Sequence, residues 1–233
     1  MGALADIRSA PSASFGPRRD GVTPDMIVLH YTAMTSAEAA LARLCDPAVE
    51  VSAHYLIGED GTVWQMVAEA MRAWHAGAGC WGAVTDVNSR SIGIELANCG
   101  DHPFPEPQMA ALERLLAGIR TRWPIVPERI IGHSDMAPGR KIDPGPRFDW
   151  RRLARQGLGV WPGDDLRPGG DLSQFTALAR DFGYCADVPS AEILAAFRLR
   201  FRPWKRGAPD LRDLAIIRDL ARRYPVDRAR DSA

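Results

Sequence analysis

Two short apolar runs that end on reactive side chains set the frame for this chain. Met26-Ile27-Val28-Leu29 fits a buried strand and runs directly into His30. Ser91-Ile92-Gly93-Ile94-Glu95-Leu96 is apolar on both sides of one acid, as in a central strand. A lone carboxylate there is costly unless it is paired, bound to metal or used. A third run, Arg129-Ile130-Ile131, leads through Gly132 into His133. Ligands collect at the carboxyl ends of strands in open α/β sheets, and His30 and His133 both stand there.

The segment from Gly132 to Gly145 places His133, Asp135, Lys141 and Asp143 in one loop punctuated by Pro138, Gly139, Pro144 and Gly145. Proline and glycine fix or permit special backbone angles, which suits a loop that holds side chains in a set arrangement. Alone it reads as a solvated turn, because a zinc site needs a third ligand from elsewhere. His30 can supply that ligand. His30, His133 and Asp143 together leave a fourth tetrahedral position open for water, the pattern of catalytic zinc. The metal would lower the pKa of that water toward about 7 and polarise an acyl oxygen. Glu95 could then take and relay a proton, and Lys141 could stabilise the oxyanion.

Other polar residues have plainer readings beside the functional ones. His54 alternates into an apolar strand, facing with Leu56 while Tyr55 and Ile57 face the other way, and is expected in the core or behind a ligand. His75, flanked by Trp74 and Gly77, is either structural or a substrate contact. His102 reads as an exposed turn residue, and Asp135 as a loop hydrogen-bond partner. Arg140 either clamps a substrate carboxylate or forms a surface ion pair.

The rest of the chain reads as an α/β domain followed by helices. Residues 1–25, rich in Ser, Pro, Gly and Arg, have no period and read as an extended arm. A helix is expected from about Thr35 to Leu44, a β-hairpin over Val51–Ile57 and Val63–Val67, and a helix over Pro107–Arg122. After Pro168-Gly169-Gly170 three helical patterns follow, at Leu172–Tyr184, Ser190–Phe201 and Leu211–Tyr224. Lys+Arg and Asp+Glu balance at 29 each, so no net field favours nucleic acid or an anionic membrane. No apolar run is long enough to span a bilayer.

Five motifs in order resemble the zinc-dependent N-acetylmuramoyl-L-alanine amidases of the peptidoglycan-recognition fold. They are Val28–Ala33, Val51–Ile57, Arg72–Gly77, Ser91–Glu95 and Gly132–Gly145. The resemblance covers about Met26 to Trp161 and implies a central mixed β-sheet flanked by helices. It carries zinc ligation onto His30, His133 and Asp143 and catalytic roles onto Glu95 and Lys141. Tyr55 matches a position that is catalytic in a phage relative lacking the acid, which makes it auxiliary here. The implied reaction is hydrolysis of the amide between the lactyl group of N-acetylmuramic acid and L-alanine of the stem peptide. Ala195–Trp204 resembles a peptidoglycan-binding-like domain, with a helical cap as the plainer reading. The resulting division is an arm at 1–25, a zinc amidase domain at 26–163 and a small three-helix domain at 171–226.

Compartment and substrate are open between two patterns in such a family. Relatives with a helical appendage are usually exported, whereas those without a leader recycle anhydro-muropeptides in the cytoplasm. Met1–Arg8 lacks a basic region followed by an apolar stretch, so a cytoplasmic recycling enzyme is expected, with a periplasmic one as the alternative. Cys45, Cys80, Cys99 and Cys185 are scattered without metal-like spacing and are expected to stay free in that reducing setting. The non-enzymatic alternative is a peptidoglycan receptor on the same fold.

Overall fold

The computed structural model describes residues 7–227. In chain order its strands and helices are β1 (Arg8–Ser9), β2 (Phe15–Pro17), β3 (Met26–Tyr31), α1 (Ala37–Cys45), β4 (Tyr55–Ile57), β5 (Val63–Gln65), β6 (Met71–Ala73), α2 (Val87–Arg90), β7 (Ser91–Leu96), α3 (Glu106–Arg122), β8 (Ile130–Gly132), α4 (His133–Met136), α5 (Trp150–Arg155), α6 (Phe175–Phe182), α7 (Ser190–Phe201) and α8 (Leu211–Arg223).

Six strands form one mixed sheet in the order β1-β5-β4-β7-β3-β8, and β2 pairs with β6 beside it. The β4–β5 pair is antiparallel, as expected for a hairpin, and its turn closes through Gly58 N to Thr62 O at 2.8 Å. β7, β3 and β8 run parallel, with His30 opposite Glu95 and Leu29 opposite Gly132. The register therefore brings the ends of all three reactive strands to one edge. Ser36 caps α1 by accepting from Ala39 N at 3.1 Å, matching the helix start read from Thr35-Ser36.

Alternation along β3 divides the core. Ile27 and Leu29 pack with Ile92, Ile94 and the buried side of α3, including Leu112 and Leu116. Met26 and Val28 point the other way and share a cluster with Ile131, Trp81 and the C-terminal helices. Phe182, Phe197, Phe201 and Leu214 supply much of that second cluster. The three C-terminal helices stand close to where their periodicity places them. They are continuous with the core of the sheet.

Two expectations are corrected. Within 1–25, the first six residues lie outside the described ones, and the remainder is extended but docked: β1 pairs parallel with β5 and β2 antiparallel with β6. Arg18 is buried and donates to the carbonyls of Glu69, Ser89 and Ser91 at 2.6–3.2 Å. A short polar stretch carries no period because its partners are distant sheet edges. The cysteines are also not all free. Cys80 and Cys185 form a disulfide across 105 residues, whereas Cys45 and Cys99 are reduced. Spacing hides such a pair, since what matters is the approach of two loops in space.

Candidate active site

His30 ends the buried part of β3, and Glu95 sits beside it on β7 in register. His133 opens α4 directly after β8, and Asp143 returns in the loop beyond it. Ser134 N donates to Asp143 O at 2.9 Å, so the short helix also holds the backbone of Asp143. These residues line a cleft of about 550 Å³ with Lys141, His75 and Trp74.

The ligand atoms converge. His30 Nδ1 and His133 Nδ1 are 2.9 Å apart, and each is 3.0 Å from Asp143 Oδ2. The protons on the far sides of the rings decide what this triangle can hold. His133 Nε2 lies 2.9 Å from the Ala76 carbonyl, which only accepts, so Nε2 carries the proton and Nδ1 a lone pair. Ser91 Oγ donates to Val87 O and turns a lone pair to His75 Nε2 at 3.2 Å. His75 then donates from Nε2 and accepts at Nδ1 from His30 Nε2 at 3.0 Å. His30 Nδ1 is thereby left with its lone pair as well.

Two imidazole lone pairs and a carboxylate oxygen facing one another at 3 Å repel unless a cation or a proton joins them. Burial, aided by His133 and opposed by Asp143, lowers the His30 pKa to about 4 and keeps that ring neutral near pH 7. Burial alone would raise the Asp143 carboxyl, but the adjoining imidazoles of His133 and His30 outweigh it and hold its pKa well below the usual carboxylate range. Among the described residues, His30, His133 and Asp143 are the group of side chains able to hold a metal ion. Two nitrogens, one carboxylate oxygen and an open side fit zinc.

Glu95 is the other group under electrostatic load. Its Oε2 is buried without a hydrogen-bond partner. Burial first, and the charge of Asp143 second, push its pKa up to about 8, with Lys141 pulling against them. A carboxyl balanced near neutrality in a cleft is suited to moving a proton.

The remaining candidates separate. His75 belongs to the site, but behind His30, and its ring lies so close to Gly93 that a Cβ there would come within 2.4 Å of it. Arg140 lines the cleft, yet its guanidinium donates to the carbonyls of Ala76 and Ala78 and so ties two loops together. Tyr55 is set apart: its hydroxyl donates to Glu69 at 2.8 Å, on the face opposite His54, in a cluster with Arg122 and Trp123. Alternation along β4 fixes that direction, so the auxiliary role expected for Tyr55 has no geometric support. His54 is fully buried and accepts from Gly93 N at 2.9 Å, a core histidine as expected. Ser91 and the Ala76 carbonyl, which set the ring protons, carry no sequence signal of their own beyond their places in the Ser91–Glu95 and Arg72–Gly77 motifs.

Known proteins resemble the chain in sequence and in fold. Residues 20–146 match the N-acetylmuramoyl-L-alanine amidase family. The chain is 36% identical to the N-acetylmuramoyl-L-alanine amidase AmiD of Escherichia coli (strain K12), over 87% of this chain and 84% of that one. It is 34% identical to the 1,6-anhydro-N-acetylmuramyl-L-alanine amidase AmpD of Citrobacter freundii, over 65% of this chain and 90% of that one. The solved complex of Escherichia coli AmiD with anhydro-N-acetylmuramic acid-L-Ala-D-gamma-Glu-L-Lys superposes with a TM-score of 0.80 at 34% identity, covering 89% of this chain and 93% of that one. By sequence, fold and the arrangement at the strand ends, the chain belongs to the N-acetylmuramoyl-L-alanine amidase family.

Proposed function

We propose that this amidase is a zinc enzyme that cleaves the lactyl–L-alanine amide of 1,6-anhydro-muropeptides in cell-wall recycling. The observation that carries the reading is the convergence of three lone-pair donors beside a buried carboxyl whose Oε2 has no hydrogen-bond partner. The substrate class is supported by the relatives, whose names and complex specify the anhydro sugar.

His30, His133 and Asp143 would hold the ion. Such an ion would supply Lewis acidity toward a water and the amide oxygen. Glu95 Oε2 accepts the proton of the attacking water and returns it to the L-alanine nitrogen as the C–N bond breaks, so no net proton is consumed in the step. Lys141, whose ammonium has no partner among the described residues, faces the same cleft and stabilises the negative oxygen of the tetrahedral species. His75 orients His30 through the Nε2–Nδ1 hydrogen bond, and Arg140 braces the rim.

No helix among the described residues is long and apolar enough to cross a membrane. The Cys80–Cys185 disulfide supports an oxidising compartment, and with it the periplasmic alternative over the cytoplasmic one. The peptidoglycan-binding-like reading of the C-terminal helices has support in a second cleft of about 660 Å³, lined by Ala195, Leu199 and Pro203 from the resembling segment and reaching Ile142 in the zinc loop.

The test combines metal content with turnover. Asp143→Ala should lose zinc, and Glu95→Ala should keep it while releasing stem peptide from anhydro-muropeptide about 10²–10⁴-fold more slowly. Zinc-loaded wild-type protein that binds muropeptide and never cleaves it would make the chain a receptor.

A further inference from the structure

We propose that Tyr184 and Arg200, from the C-terminal helical region, are positioning residues for the metal ligands His133 and Asp143, acting through Asp135. The proposal rests on the metal-centre reading above.

Asp135 stands two residues after His133, is buried, and does not line the cleft of the metal ligands. Its Oδ2 accepts from Gly132 N at 2.9 Å, joining the end of β8 to the turn that carries His133. That contact is local. The other partners come from far along the chain: Tyr184 Oη donates to Oδ1 at 2.7 Å, and Arg200 Nη1 donates to Oδ2 at 3.0 Å. All three side chains are at most 3% exposed, so water cannot replace either partner.

Arg200 is itself held against the same strand–turn unit. Its Nη2 reaches Ile130 O at 3.4 Å, and its guanidinium lies 4.1 Å from the centre of the Trp150 ring. Tyr184 is fixed by the disulfide at the next residue and by edge-on packing against Trp81 at 5.1 Å. Cys80, at the other end of that disulfide, donates its N–H to Met136 O at 2.9 Å. The helical region thus grips α4 at its middle through Asp135 and at its end through Cys80.

What α4 carries makes this grip consequential. His133 is its first residue, and Ser134 N holds the Asp143 carbonyl. Lys141 N donates to Ala137 O at 3.0 Å, just past its end. A tilt of this single turn would move two of three ligands and the cleft lysine relative to His30, which is fixed independently by β3. Groups that orient metal ligands in this way are worth about 10–100-fold in metal affinity.

The test uses the full chain, stripped of metal and titrated with zinc against a chromogenic chelator, with the visible spectrum of the cobalt-substituted protein as a report on ligand geometry. Tyr184→Phe and Arg200→Met should each weaken zinc about tenfold or more and shift the cobalt bands, and Arg200→Lys should recover part of the loss. Arg198→Met is the control, because it breaks the buried pair with Asp213 inside the helical region, away from Asp135. It should lower stability and leave zinc affinity unchanged. Folded Tyr184→Phe and Arg200→Met with wild-type zinc affinity and cobalt spectrum would overturn the proposal, as would an equal loss of zinc in Arg198→Met. If Arg200→Met does not fold, Tyr184→Phe decides, since it removes one oxygen from a ring that stays buried. Wild-type protein that takes up no zinc defeats the metal-centre reading and this proposal with it, whereas failure confined to the variants defeats this proposal alone.

Discussion

The two faces of the six-stranded sheet are closed by different parts of the chain. On one face Ile27, Leu29, Ile92 and Ile94 meet α3, which lies within the span matching the family. On the other, Met26, Val28 and Ile131 share a cluster with Phe182, Phe197, Phe201 and Leu214, all beyond that span. The residues of the proposed centre and those that complete the core beneath them are therefore separate in sequence. A segment that looks appended is half of the hydrophobic cover.

The largest effect expected from this asymmetry follows truncation after Trp161. Met26, Val28, Ile131 and Trp81 would lose their cover, each fully buried side chain being worth roughly 1.5–3 kcal/mol. That sum is comparable with the whole stability of about 5–15 kcal/mol typical of a domain. The fragment should lack near-ultraviolet circular dichroism and fail to retain zinc. A soluble, zinc-binding fragment would break the comparison by making the helices an accessory layer.

A smaller loss is expected on opening the covalent link between the same two regions. Cys185→Ser should lower unfolding free energy by about 2–4 kcal/mol in denaturant titration, and wild-type protein in reductant should match it. A negligible change would show that the shared apolar cluster alone holds the regions together.

The smallest effect belongs to the face away from the cleft. Tyr55→Phe removes the hydrogen bond to Glu69 and should cost about 0.5–1.5 kcal/mol of stability, with zinc affinity and turnover unchanged. Loss of turnover with zinc retained would return Tyr55 to the site and sharpen where the two faces communicate.

The sequence was most legible where reactive residues follow strands. His30, Glu95 and His133 could be placed because an apolar run predicts a strand, and a strand predicts where its last side chain stands. Helical periodicity likewise located α3, α7 and α8 to within a residue or so at each end. What stayed hidden depends on pairs that only folding brings together. Arg18 finds four carbonyls across Glu69–Ser91, Cys80 finds Cys185, and Asp135 finds Tyr184 and Arg200. None of these partners lies at a spacing that a periodicity or a motif could register. Tyr55 shows the complementary limit: alternation gave its direction, while the role expected of it came from resemblance and ran against that direction.

The ladder pairing of β3 with β7 and β8 has a consequence for how such a molecule can change over time. His30, Glu95 and His133 are counted off from main-chain hydrogen bonds, with His30 opposite Glu95 and Leu29 opposite Gly132. The connecting loops, including the stretch between α1 and β4 that rims the cleft, can lengthen or shorten without disturbing that count. A one-residue insertion inside β3 would instead turn every later side chain of the strand to the opposite face and carry the imidazole of His30 into the apolar layer. Substrate preference is thus free to drift through loop length, while the reactive centre is inherited as a unit with the sheet.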